Sequence, residues 1–234
     1  ALDVNSKAGK ALQNIFQMAD MSASEARHLA QNYIAREYWG PQPMTAGPMY
    51  MGAVTIFLFV LGLILCKGRE KWWLLAAMIF SIFLAWGNHF MAFTEFCFNH
   101  LPMYNKFRTV SMILIVLQVL MPMLGFYALD KIIKNTYERR KVLRASAIAF
   151  ALTAGFCLLA VVVPSIAGNY ITEFDSTLVS NLFGISNQEL MSYGVNVDGY
   201  TSAVAAHRAS LMTADALRSF VIILIAAALI ILPY

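Results

Sequence analysis

The sequence predicts an all-α protein: a polytopic transmembrane helix bundle of about five membrane helices, with amphipathic helices outside the membrane. Three observations predict it. Of 234 residues, 59% are hydrophobic and only 13% charged, with a mean hydropathy of +0.63, more apolar surface than one water-facing fold can hide. Several apolar stretches approach the roughly 20 residues that a helix needs to cross the hydrocarbon layer. Nine of the 17 Lys and Arg are packed into two short loops between such stretches.

In chain order, residues 1–47 are expected to form an external helical segment. Leu12, Ile15, Phe16 and Ala19 recur at helical spacing, and Ser22-x-x-Glu25 has the pattern of a capping box opening a second helix through about Arg36. Trp39-Gly40-Pro41-Gln42-Pro43 breaks that helix, because each proline removes a backbone donor and restricts its predecessor. Residues 48–166 then hold four spans, at about 48–66, 72–86, 110–129 and 145–166. Gly47-Pro48-Met49-Tyr50 launches the first, with its tyrosine at headgroup depth. Pro122 removes a hydrogen bond inside the third and is expected to kink it.

Between the second and third spans, at 87–109, Phe90, Phe93, Phe96 and Phe98 interleave with Asn88, His89, Glu95 and Asn99, the composition of a short interfacial or re-entrant helix ended at Leu101-Pro102. Residues 167–217 form an external loop and helix, turn-rich around 184–199 and helical from about Thr201. Asp215 and Arg218, three apart, are expected to pair where that helix meets the membrane. Residues 218–234 begin a fifth span that stops inside a hydrophobic run. With a start at Ala1 in polar helix-forming sequence, this suggests a fragment of a longer chain.

The basic loops set the orientation. Lys67, Arg69 and Lys71 occupy one, and Lys131, Lys134, Arg139, Arg140, Lys141 and Arg144 the other, so both are expected in the cytoplasm. The first 47 residues and the segments 87–109 and 167–218 then share the outer side, together with ten of the 13 acids and all four histidines. The pI near 9.0 reflects cations that face anionic membrane lipids, and nucleic-acid binding is not implied. Cys66, Cys97 and Cys157 lack ligand spacing and read as apolar fillers. No cofactor or metal is expected; His89 and His100 stand eleven apart with no shared helical face.

The segment richest in chemistry is Leu101-Pro102-Met103-Tyr104-Asn105-Lys106-Phe107-Arg108, which places two cations and a tyrosine at the outer mouth of the third span. Lys106 and Arg108 oppose the orientation rule there and either snorkel to the headgroups or meet a lipid phosphate. Arg108 is the stronger candidate, because its planar fork holds a phosphate through two bonds while lysine acts as a point charge. Tyr104 and Asn105 either donate to the same group or cap the turn. Glu95, the single acid of this segment, is a weak candidate for a general base; its plainer role is a partner for Lys106, Arg108 or a histidine.

Several stretches resemble the YfhO-like bacterial membrane proteins in the form carried by Bacteroidetes. They are Tyr38-Trp39-Gly40-Pro41-Gln42-Pro43, Gly47-Pro48-Met49-Tyr50-Met51-Gly52-Ala53, Phe57-Leu58-Phe59-Val60-Leu61-Gly62, Leu84-Ala85-Trp86-Gly87-Asn88 and Pro102-Met103-Tyr104-Asn105-Lys106-Phe107-Arg108, with a weaker match at Arg208-Ala209-Ser210-Leu211 through Asp215-Ala216-Leu217-Arg218-Ser219. The resemblance implies a longer multi-pass protein of the GT-C glycosyltransferase type in the bacterial inner membrane. Such enzymes take a sugar from a polyprenyl-phosphate carrier and attach it to a cell-envelope acceptor. Their catalytic carboxylate lies in a first external loop, which this stretch is expected to lack. The partners implied are membrane lipids, the lipid-linked sugar donor and the remaining helices of the longer chain. The competing class is a transporter, flippase or non-catalytic assembly protein. A transporter is expected to bury ionisable groups near the midplane, and these spans hold almost none.

Overall fold

The structure is a computed structural model that describes residues 3–33, 50–101, 104–106, 110–168 and 170–232. Among them there is no strand, and ten α-helices follow one another: α1 (Lys7–Met18), α2 (Ala23–Tyr33), α3 (Ala53–Leu65), α4 (Arg69–Ala85), α5 (Met91–His100), α6 (Ile115–Ile133), α7 (Arg139–Val162), α8 (Glu173–Phe183), α9 (Asn187–Ser192) and α10 (Val197–Ile231). The helices divide into two compact units. One comprises Ala1–Pro48 with Leu158–Leu217, the other Met49–Cys157 with Arg218–Tyr234.

In the first unit the amino-terminal helices share a core with the later segment. Ala8, Leu12, Ile15 and Phe16 of α1 and Ala26 and Ala30 of α2 are buried with Leu178 and Val179 of α8, Leu190 of α9, and Val197, Tyr200 and Val204 of α10. The spacing of Leu12, Ile15 and Phe16 puts them on one stripe, which explains why α1 turns that face inward. Three capping boxes start helices here. Ser22 closes on Glu25, with the Ser22 amide donating to the carboxylate at 3.1 Å and the Glu25 amide to the hydroxyl at 3.3 Å. Thr172 with Asp175 and Ser186 with Glu189 repeat the arrangement.

In the second unit α3 and α6 pack closely. A Cβ built on Gly62 meets the Leu124 carbonyl oxygen at 2.9 Å, and one on Gly125 meets Leu58 Cβ at 2.8 Å, so the two glycines let the backbones approach. Phe57, Leu61 and Leu65 of α3 are buried with Ile132, with Val142, Ala145 and Ala149 of α7, and with Ile223 and Ala227 of α10.

Among the described residues, three helical stretches are long and apolar enough to cross a membrane: Met112–Ile133, Arg139–Val162 and Val197–Ile231. The expected count of about five is met only to that extent. The expected first span contains a 13-residue helix and the second a 17-residue one. The exposed residues of α6, Ile115, Val119, Met123 and Phe126, recur every three or four positions, as do Ile148, Leu152, Phe156 and Leu159 of α7. Apolar stripes of this size, left outside the core, match a lipid solvent rather than water.

Candidate functional site

The described residues before α6 form a short helix and three tight turns. A 3-10 turn at Gly87–Phe90 leads into α5, which ends where the Leu101 amide donates to the Cys97 carbonyl at 2.8 Å. The expected helix across this segment is therefore present. Phe83, Phe90 and Phe93 hold it to α4, with ring centroids 5.6–6.1 Å apart. A second 3-10 turn covers Tyr104–Lys106, and a third at Val110–Leu114 passes into α6.

Tyr104 is half-buried, and its hydroxyl donates to the Leu84 carbonyl near the end of α4 at 3.2 Å. Burial pushes its phenol up, with a smaller push from the Cys97 thiol. A phenol has one hydrogen, and this one already serves a helix-end carbonyl, so Tyr104 positions the turn rather than offering a donor to an anion. Lys106 is exposed. Arg108 and the side chain of Asn105 lie outside the described residues, as does the side chain of His89. Glu95 is exposed on α5; it is in neither of the two ion pairs found among the described residues, so Lys106 is not its partner. His100 stacks on Phe96 at 4.5 Å and shares a hydrogen bond with its carbonyl. No three His, Cys, Asp or Glu of the described residues group as metal ligands.

The other polar centre lies wholly inside the first unit and escaped the sequence analysis. Arg208 of α10 and Asp175 of α8 are each 1% exposed and joined through two bonds, Nη1 to Oδ2 at 2.5 Å and Nη2 to Oδ1 at 3.1 Å. Arg208 Nη1 also donates to the Tyr170 carbonyl at 2.6 Å. Asp175 Oδ2 further accepts from the Thr172 amide and hydroxyl at 2.8 and 2.7 Å. The Tyr170 phenol donates to the Pro164 carbonyl and points to Met212 Sδ at 2.8 Å, and burial pushes it up. Both oxygens of the carboxylate are occupied, so Asp175 is committed to this pair and to the α8 cap. The arrangement is a clasp between α8, the turn after α7, and α10. Only Thr172-x-x-Asp175, a capping pattern, announced one half of it in the sequence.

The second unit also contains an apolar hollow of about 530 Å³ between α3, α6 and α10, lined by Leu58, Leu129, Ile132, Leu229 and Ile230, with the Asn135 amide as its polar side chain. It offers room for a hydrocarbon chain and no group that moves a proton. Comparison with protein families, with curated proteins and with solved structures finds no match to this chain.

Proposed function

We propose that the chain is the membrane portion of a GT-C-like glycosyltransferase of the YfhO-like type, working in cell-envelope glycosylation at the bacterial inner membrane. Five spans are proposed, α3 and α4 being completed by flanking residues, with the amino-terminal segment on the outer side. Arg108, helped by Lys106, holds the phosphate of a polyprenyl-phosphate sugar donor at the outer mouth of α6.

The observation that supports this reading is the exposed Lys106 in a 3-10 turn just ahead of the apolar stretch Met112–Ile133, with Arg108 two residues on. Free amides and the helix dipole at such a start favour an anion in the same place as the two cations. Asn105 remains a candidate donor to that phosphate. Glu95 is exposed on α5, 11 positions before Lys106, and is a weaker candidate than the two cations.

In the full-length protein, Arg108→Ala should lower donor use by about ten- to a hundredfold while membrane insertion is kept. Arg108→Lys should recover part of it, charge returning without the two-bond geometry. Unchanged donor affinity and transfer in a normally inserted Arg108→Ala protein would show that these cations are interface anchors. Orientation is tested separately: a cysteine placed at Asn135 should resist an impermeant external reagent in intact cells, and its modification there would reverse the topology.

A further inference from the structure

At the opposite end of α6 from Lys106, three lysines come together from three parts of the chain. Lys71 lies in the first turn of α4, Lys131 in the last turn of α6 and Lys141 in the first turn of α7. Leu65, Ile132, Tyr137 and Val142 pack in one apolar cluster and Cys66, Leu74, Leu124 and Ala128 in another, so the turns that carry Lys71, Lys131 and Lys141 lie at the same end of the bundle. Both basic loops therefore meet at one end of the helix bundle.

The three ammonium groups are held there by apolar and ring contacts rather than by acids. Lys71 Nζ lies 5.1 Å from the Trp72 ring centroid, Lys131 Nζ 4.5 Å from that of Tyr127 and Lys141 Nζ 4.8 Å from that of Tyr137. All three side chains are half-buried, whereas Lys67, Arg69, Lys134, Arg139 and Arg140 are exposed. Among the described residues none of the three has a carboxylate within ion-pair distance; the nearby Asp130 is taken by Lys134 at 2.8 Å. Like charges in one place raise each other's energy unless an anion joins them.

The helix ends at this place add to the demand. The amino termini of α4 and α7 open here, each with the positive end of its dipole, and α4 carries Glu70 in its first turn. The opposing carboxyl-terminal dipole of α3 is already met, because Lys71 donates to the Leu63 carbonyl at 3.0 Å. Trp72 and Trp73, 62% and 76% exposed, flank the site, and such rings settle at the depth of lipid headgroups. We propose that Lys71, Lys131 and Lys141 form a binding site for the phosphate of one anionic membrane lipid at this basic end of the second unit. It is separate from the Arg108 site and does not depend on the glycosyltransferase reading.

The test is native mass spectrometry of the intact protein in detergent, with phosphatidylglycerol or phosphatidylcholine added. One phosphatidylglycerol should be retained in preference to phosphatidylcholine. Lysines near a membrane surface contribute roughly fivefold each in affinity, so Lys131→Gln with Lys141→Gln should weaken retention about twenty-five-fold. Lys71 is left in place because it also caps α3. Arg139→Gln with Arg140→Gln, which removes the same charge from exposed positions, should change retention by no more than about threefold. Lys131→Arg with Lys141→Arg should restore it, separating lost charge from a damaged fold. The proposal is overturned if the exposed pair matters equally, if phosphatidylcholine is held as well, or if the arginine variant fails to restore binding. Occupancy by inorganic phosphate at the same concentration, seen by phosphorus NMR, would assign the site to a free anion instead and also overturns it.

Discussion

Replacing Arg208 by Met should loosen the first unit more than any other single truncation in it. Arg208 is the largest fully buried side chain among the described residues, and its guanidinium donates twice to Asp175 and to the Tyr170 carbonyl. Methionine fills much of the volume but leaves the Asp175 carboxylate charged and desolvated, a loss of about 3–5 kcal/mol. The Tyr170 carbonyl loses the Arg208 donor in the same step. At a factor of ten for each 1.4 kcal/mol, amides of α8 should exchange about a hundred- to several-thousandfold faster by hydrogen–deuterium exchange. Adding Asp175→Asn removes the stranded charge while its amide oxygen still serves the α8 cap, so the double variant should regain part of the loss, ending within about 2 kcal/mol of the parent. Exchange in Arg208→Met within about threefold of the parent, or a double variant no better than the single one, would refute the reasoning that an uncompensated charge dominates.

Gly125→Leu should destabilise the α3–α6 packing by about 1–3 kcal/mol, because its Cβ would meet Leu58 at 2.8 Å. Gly155→Leu is the matched control on α7, with nothing within 4 Å of its Cβ; equal losses of helicity in a detergent titration would exclude close packing as the cause. The Glu25 carboxyl is held below its ordinary value of 4.5, first by the Ser22 hydroxyl and then by the Ser22 amide. A lowered folded-state value means that the cap's contribution to α2 is present above the unfolded pKa and is lost as pH falls through the folded one. Amide shifts at the start of α2 should therefore titrate below 4.5 in the parent, and Ser22→Ala should move that midpoint upward; an unmoved midpoint would break the link.

Local rules were the legible part of this fold. Ser22 and Glu25 sit at the spacing of a capping box and form one, because both groups are within a single turn. The interleaved phenylalanines after α4 give a helix for the same reason. Hydropathy picked out the three helices of the described residues that are long and apolar enough to cross a membrane, but not the helix limits. It reports contact with lipid, whereas α7 begins at Arg139, six residues before its apolar run, since helical hydrogen bonding continues through a charged interface. The clasp was illegible because Asp175 and Arg208 are 33 positions apart, and nothing local distinguishes a buried arginine from an exposed one. Tyr104 shows the limit at the mouth of α6: its type suggested a donor to a ligand, but its partner is a carbonyl 20 positions earlier.

Helix α10 carries both kinds of interior in one continuous element. Its 35 residues extend about 52 Å at 1.5 Å per residue, well beyond a hydrocarbon layer of about 30 Å, so part of it must lie outside the membrane. Tyr200, Val204 and Arg208 are buried in its first half, at steps of four, and the stretch up to Arg218 also carries Asp198, His207 and Asp215. From Ser219 to Ile231 there is no charged residue, and Ile223, Ala227 and Ile230 are buried while Leu224 and Leu229 stay exposed. A buried arginine is tolerable in the first half because Asp175 neutralises it and water hydrates the unfolded alternative. The same side chain in the second half would have to leave lipid or find a partner there. Insertion of α10 should therefore depend on the residues after Arg218, and Arg208→Met should leave it unchanged while loosening α8.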